Sequence, residues 1–221
     1  MDGKLVTFEG IDGSGKTTQL IMLVQWLETS GWKEKIEKGL KKIIVTREPG
    51  GTELGKELRS LLLNNKLSTH AELLLYQADR AEHVSRVIKP ELIKGNLVLC
   101  DRFIDSTLAY QGGGRGFNMD TLNWLNNFSV QGVFPSTTIW LDVSPQIALE
   151  RLKVRVQNNH FDEESLLFHE KVRAVYKQLH EQYPRAIIRI NADADVKSVH
   201  KMVTASLDEL LQTWFGYLYH C

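Results

Sequence analysis

Near the start of the chain, Gly10-Ile11-Asp12-Gly13-Ser14-Gly15-Lys16-Thr17-Thr18 fits the pattern Gly, four residues, Gly, Lys, Ser/Thr. It lies between a strand-like run, Leu5 to Phe8, and a helix-like one. The glycines let backbone N–H groups approach an anion with no Cβ in the way, and a helix opening at Lys16 adds its unpaired N-terminal N–H groups and positive dipole end. Lys16 then reaches the β- and γ-phosphates of a nucleoside triphosphate, and the Thr17 hydroxyl ligates Mg²⁺. The motif leaves open what is done with the triphosphate.

Further charged residues punctuate the chain. Asp101 and Asp142 each end an apolar strand in the manner of a second magnesium ligand, and Asp101 is preferred because Arg102 beside it supplies a phosphate-binding charge. Arg47 precedes Glu48-Pro49-Gly50-Gly51, a turn where backbone comes close to a ligand and a guanidinium grips phosphate bidentately; the other reading is a surface arginine at a strand end. Arg80 lies between Asp79 and Glu82, and residue types alone do not separate a ligand from half of a solvated ion pair. Gln111 to Gly116 reads as a flexible loop that closes on a ligand, or as a plain surface loop. Arg151 and Arg155 share one face of a helix end. They complement the helix dipole on a solvated surface or, if Val156 to His160 forms a lid, bring an arginine to a transferring phosphoryl group.

Positioning these residues requires alternating strands and helices. Apolar runs predict strands at Leu5–Phe8, Ile43–Thr46, Leu97–Cys100, Thr138–Leu141 and Ala186–Ile190. Helical spacing predicts helices from Lys16 to Thr29, Glu53 to Leu63, Ala71 to Ile88, Pro145 to about Val154, Glu163 to Tyr183 and Val196 to Phe215. Trp32 to Lys42, rich in lysine and glutamate, reads as a solvated connection or a short amphipathic helix extension. The alternation predicts an α/β fold: a parallel five-stranded sheet with helices on both faces, binding ligands beyond the carboxyl ends of its strands. Asp12, Lys16, Arg47, Asp101, Arg102 and Asp142 all fall at that edge.

Composition sets bounds. The 221 residues, 43% apolar, suffice for one domain with a substantial core. Lysine plus arginine equals aspartate plus glutamate at 27 each, so no bulk field favours nucleic acid or an acidic membrane. No apolar run approaches a membrane span or a signal segment, and Cys100 and Cys221 have no metal-type spacing; reduced thiols in a cytoplasmic protein are expected.

Taken together, Phe8-Glu9-Gly10 through Gln19, Thr46-Arg47-Glu48-Pro49-Gly50-Gly51-Thr52, Ala78-Asp79-Arg80, Asp101-Arg102-Phe103 and Tyr110-Gln111-Gly112 resemble the thymidylate kinase family in order and spacing over nearly the whole chain. The resemblance implies a three-layer P-loop nucleoside monophosphate kinase fold and transfer of the ATP γ-phosphoryl group to dTMP. Carried over, Arg47 and Arg102 hold the acceptor phosphate, Tyr76 stacks on thymine in place of the usual phenylalanine, and Arg80 hydrogen-bonds the base. Thr107 and Gln111 line the base edge, Tyr110 packs on the deoxyribose, and Asp12 orients the sugar and Lys16. Gly13 stands where some members carry an arginine, which implies a catalytic arginine from a lid at about 151–162: Arg155, supported by Arg151, with His160 where another arginine is common. Trp32 to Lys42 resembles an insertion, and the resemblance also implies a homodimer. A P-loop switch protein is the rival of a different class, but no Asn-Lys-x-Asp motif is present; another nucleoside or nucleotide kinase is the nearer rival.

Overall fold

The computed structural model describes residues 3–38, 41–153 and 164–215. Five strands, β1 (Lys4–Glu9), β2 (Ile43–Arg47), β3 (Leu97–Asp101), β4 (Thr137–Asp142) and β5 (Ile187–Asn191), pair in parallel in the order β2-β3-β1-β4-β5. Register sets Phe8 opposite Asp101 and Arg47 opposite Asp101, so the loop after β1 and the charges ending β2 and β3 emerge at one edge.

Side chains alternate across the sheet as strand geometry requires. Val6, Phe8, Leu97 and Leu99 pack with Leu20, Leu23 and Leu27 of α1 (Lys16–Thr29). Val203 and Leu207 of α10 (Val196–Phe215) complete that layer. Leu5, Val98 and Cys100 point the other way, against Val84, Ile88 and Leu92. Two cores on two faces make the expected three layers.

Three stretches decide between, or depart from, the sequence expectations. Of the two readings of Trp32 to Lys42, the structure has the amphipathic helix, α2 (Trp32–Lys38), whose Trp32 and Ile36 are buried four residues apart and whose indole Nε1–H donates to Asp208 at 2.6 Å. Lys33, Glu34, Lys35 and Glu37 lie toward its more exposed side. The single helix expected over 71–88 starts earlier and changes pitch: α3 (Glu53–Asn64) is followed by α4 (Thr69–His83), a π-helical turn Val84–Ile88 and α5 (Lys89–Ile93). The Lys89 N–H reaches Val84 O, five residues back, just before Pro90, which has no N–H to offer.

The third change concerns Gln111 to Gly116. From α6 (Ile104–Thr107) the chain continues as a π-helical segment, Leu108–Gly114, with Tyr110, Gln111 and Gly112 buried. A Cβ at Gly113 would lie 2.7 Å from Val175 and 2.8 Å from Lys171 O, both on α9 (Leu166–Gln182). The glycines admit a close helix crossing, not a closing loop. Between them α7 (Met119–Val130), a helix absent from the sequence expectations, is capped by Asn118 accepting from Thr121 N at 3.0 Å. The expected helix after β4 is α8 (Pro145–Lys153). Among the described residues, no helix is long and apolar enough to cross a membrane.

Candidate active site

β1 delivers the glycine-rich loop to the head of α1, where Gly15 takes a left-handed conformation at φ 92°. Lys16 bends back over the loop: its Nζ donates to Gly10 O and Ile11 O, both at 2.9 Å, and lies 3.3 Å from Ser14 Oγ. Burial lowers its pKa to about 8, helped by Arg102 and opposed by Asp12 and Asp101. Gly13, at φ +80°, faces the backbone of α8, where a Cβ would stand 2.4 Å from Ala148 O. That position therefore has no room for a side chain of any kind, arginine included.

The Thr17 hydroxyl donates to Asp101 Oδ2 at 2.7 Å, so the two residues expected at a metal are in contact. Both are hard oxygen donors, which suits Mg²⁺, an ion that typically takes one or two protein oxygens and completes its shell with phosphate and water. No group of three or more acidic, His or Cys ligands that could hold a metal ion occurs among the described residues. Asp142 is committed elsewhere: it is buried and paired at 2.6 Å with both Arg173 and Arg189.

Arg102 joins the loop to a neighbouring cavity. It is held at φ 73°, a left-handed backbone unusual for a side-chain-bearing residue, with its N–H donating to Phe8 O and its carbonyl accepting from the Cys100 thiol. Its guanidinium donates to Asp12 Oδ1 at 2.6 Å, Gly10 O at 3.1 Å, Ser106 Oγ at 3.1 Å and Tyr110 OH at 3.2 Å. Tyr110 OH in turn donates to Asp12 Oδ2 at 2.8 Å. Burial alone would raise the Asp12 pKa, but Arg102, Lys16 and the Tyr110 hydroxyl together hold it well below the usual carboxylate range.

Beneath this cluster, Glu9 accepts from Phe103 N, Ser106 Oγ and Tyr176 OH, all within 2.8 Å.

The cavity beyond Arg102 is lined by Asp12, Pro49, Tyr76, Arg80, Thr107, Tyr110 and Gln111, with Arg59 and Leu63 from α3. Arg80 is buried, not solvated, and its partner is Glu48 at 2.8 Å rather than Asp79 or Glu82. It also donates to Thr107 Oγ1, Asn126 Oδ1 and Phe103 O, occupying four of a guanidinium's five N–H donors. Gln111 Nε2 donates to Glu72 at 3.2 Å, and burial pushes the Tyr76 hydroxyl pKa up.

Arg47 stands apart from that lining. It is exposed and borders an adjacent depression with Thr17, Thr46, Gly50 and Asp101. Arg151 gives both guanidinium nitrogens to Ala192 O and Ala194 O, bracing α8 on the loop after β5. Arg155, His160 and most of the expected lid lie outside the described residues. Arg59, Ser106 and Glu9 were not singled out in the sequence. Arg59, whose Nη1 donates to Pro49 O at 3.1 Å, sits in an ordinary amphipathic helix and carries no local signal.

A phosphate loop at the edge of a parallel sheet, joined through one arginine to a second cavity, defines a P-loop nucleoside monophosphate kinase. The family model described as Thymidylate kinase matches residues 8–203. Curated proteins named Thymidylate kinase match as well: that of Cyanothece sp. is 41% identical with 97% of each chain covered. That of Acaryochloris marina is 40% identical, covering 97% of this chain and 100% of the relative. That of Synechococcus sp. is 46% identical, covering 88% and 89% respectively. The chain belongs to the thymidylate kinase family.

Proposed function

We propose that the protein transfers the γ-phosphoryl group of Mg-ATP to the 5′-phosphate of dTMP, giving dTDP and ADP on the way to dTTP. The observation that carries this reading is Arg102, whose guanidinium touches Gly10 and Asp12 of the phosphate loop and Ser106 and Tyr110 of the cavity at once. One residue thereby serves the junction between a donor triphosphate and an acceptor phosphate.

The chemistry asks little covalent help of the chain. An acceptor phosphate oxygen, already anionic, bonds to γ-phosphorus while the bond to the β,γ-bridging oxygen breaks and ADP departs with that electron pair. What must be overcome is the approach of two anions. Gly10 through Thr18 cradle the donor, and Lys16 turns from the loop carbonyls to the phosphates. Arg102 and Arg47 hold the acceptor phosphate, with Arg59 nearby. Thr17 and Asp101 would hold Mg²⁺, which would supply charge neutralisation at the donor phosphates. Tyr76 stacks on the base, Arg80 directs its fifth N–H toward it, and Thr107 and Gln111 border its edge. Tyr110 packs against the sugar, and Asp12 holds Tyr110 and Arg102 in place. Arg155 completes the charge neutralisation from the lid; Arg151 supports the helix that leads to it.

A coupled assay with Mg-ATP against dTMP, dUMP, dCMP, dGMP and thymidine tests the reading. Turnover of dTMP is expected, with weaker turnover of dUMP because one methyl group is worth only about 1–3 kcal/mol; no turnover of dTMP overturns it. Arg155→Ala should lower kcat on the order of a hundredfold with little change in KM, and a near-normal kcat removes Arg155 from the mechanism. The same reading makes the enzyme a cytoplasmic homodimer with no nucleic-acid or membrane partner. Support for the dimer comes from Trp124 and Phe128, stacked 5.7 Å apart on α7 and 64% and 72% exposed, beside α4 with its exposed Leu74.

A further inference from the structure

From Arg80 and Glu48 in the cavity lining, a buried hydrogen-bond chain runs back to two residues, His83 and Thr46, to which the proposed function gives no part. His83, in the last turn of α4, is completely buried. Its Nδ1 lies 3.0 Å from Glu48 Oε1 and its Nε2 lies 2.6 Å from Thr46 Oγ1. Glu48 Oε2 accepts from Arg80 Nε at 2.8 Å. We infer that His83 is a positioning residue for acceptor binding: its Nδ1–H fixes Glu48, and Glu48 fixes Arg80.

The chemistry of Glu48 places a proton on one ring nitrogen. Ion-paired with Arg80, Glu48 is a carboxylate and only accepts, so His83 Nδ1 carries a proton. Nε2 pairs with the Thr46 hydroxyl, which can donate to a bare nitrogen or accept from a protonated one. Burial would raise the Glu48 pKa, yet Arg80 and His83 outweigh it and hold the pKa low. With the Nδ1–H removed, Glu48 Oε1 becomes a buried charged oxygen lacking a donor, and the carboxylate rotates toward other donors at the expense of Arg80.

The ring has a second face. A Cβ on Gly51 would lie 2.4 Å from His83 Nε2 and Cδ2, so the imidazole is the floor on which the turn after Arg47 rests. One helix turn earlier Asp79 accepts from Gly50 N at 3.0 Å. Asp79, Arg80 and His83 thus present one helix surface that secures the base contact directly and the turn bearing Arg47 and Pro49 from below.

This inference rests on the dTMP kinase reading, and paired variants test it separately. Asparagine at 83 places an amide N–H near the Nδ1 position and can satisfy Glu48. Glutamine places its amide near Nε2 and cannot. His83→Gln should raise KM for dTMP about tenfold while KM for ATP stays within twofold, and His83→Asn should keep KM for dTMP within about threefold of the parent. Equal effects of the two variants, or a parallel rise in both KM values, overturn the inference. Because either variant could fail to fold, ¹⁵N NMR of the unaltered protein supplies a second reading. His83 should show a protonated Nδ1, shifting on addition of dTMP and not of an ATP analogue; an unprotonated Nδ1 overturns the inference. Parent enzyme that is inactive on dTMP sinks the kinase reading instead, and the Nδ1 proton still stands or falls alone.

Discussion

At the scale of single residues, the site depends on a few side chains and one missing one. Gly13→Ala combines a left-handed backbone with a Cβ 2.4 Å from a main-chain oxygen that cannot move aside. It should lower stability by about 2 kcal/mol or more in urea denaturation, and an unchanged midpoint would show that α8 yields. Asp105 makes a different demand. It lies buried near Glu9, accepts from Thr138 Oγ1 at 3.2 Å, and burial with the Glu9 charge raises its pKa to about 7. A raised carboxyl pKa means that the folded chain holds the proton longer than the unfolded one, so this contribution is complete below about pH 4 and fades as pH climbs to about 7. Asp105→Asn should therefore flatten the fall of Tm between those limits, whereas parallel Tm profiles would contradict the assignment. The positions of Lys16 and Thr17 at the head of α1 were legible in the chain because a phosphate loop is a contiguous motif. Those of Ser106 and Arg59 were not, since their meaning lies in neighbours distant in sequence.

At the scale of elements, the π-helical segment after α6 shows how packing overrides propensity. Three successive glycines disfavour a helix in isolation, but here α9 presses against them, and it also carries Tyr176 to Glu9 at 2.8 Å. Gly113→Ala should destabilise the fold by about 1–3 kcal/mol and, by displacing α9 and the Glu9–Ser106–Arg102 linkage, weaken kcat/KM for dTMP. Gly116→Ala meets open space at φ +79° and should cost only backbone strain of about 1–2 kcal/mol, leaving kcat/KM near normal. Loss of activity confined to the Gly116 variant would reverse this account. The central strands β1, β3 and β4 were readable because runs buried on both faces are mostly apolar, and the partly buried edge strands β2 and β5 because each still carries a short apolar run. The helical glycine segment was not, because its partners Lys171 and Val175 lie about sixty residues away.

At the scale of the whole molecule, exposed aromatics on α7 carry the association prediction. Trp124→Asp with Phe128→Asp should convert a dimer to a monomer in sedimentation equilibrium while the far-UV spectrum is retained; a parent protein that sediments as a monomer would remove the dimer from the proposal. The amino-acid sequence by itself determined the phosphate loop, the parallel α/β plan and the set of charges at the carboxyl edge of the sheet, since each follows from local spacing or from burial patterns along one segment. Only the tertiary structure decided among those charges. It joined Thr17 to Asp101 and gave Asp142 to Arg173 and Arg189. It buried Arg80 against Glu48, and Glu48 against His83, turned Arg151 onto two carbonyls, and closed the space beside Gly13. The reason is physical: a charge's role is set by the dielectric and the partners around it, and those arise only when segments far apart in sequence are brought into register.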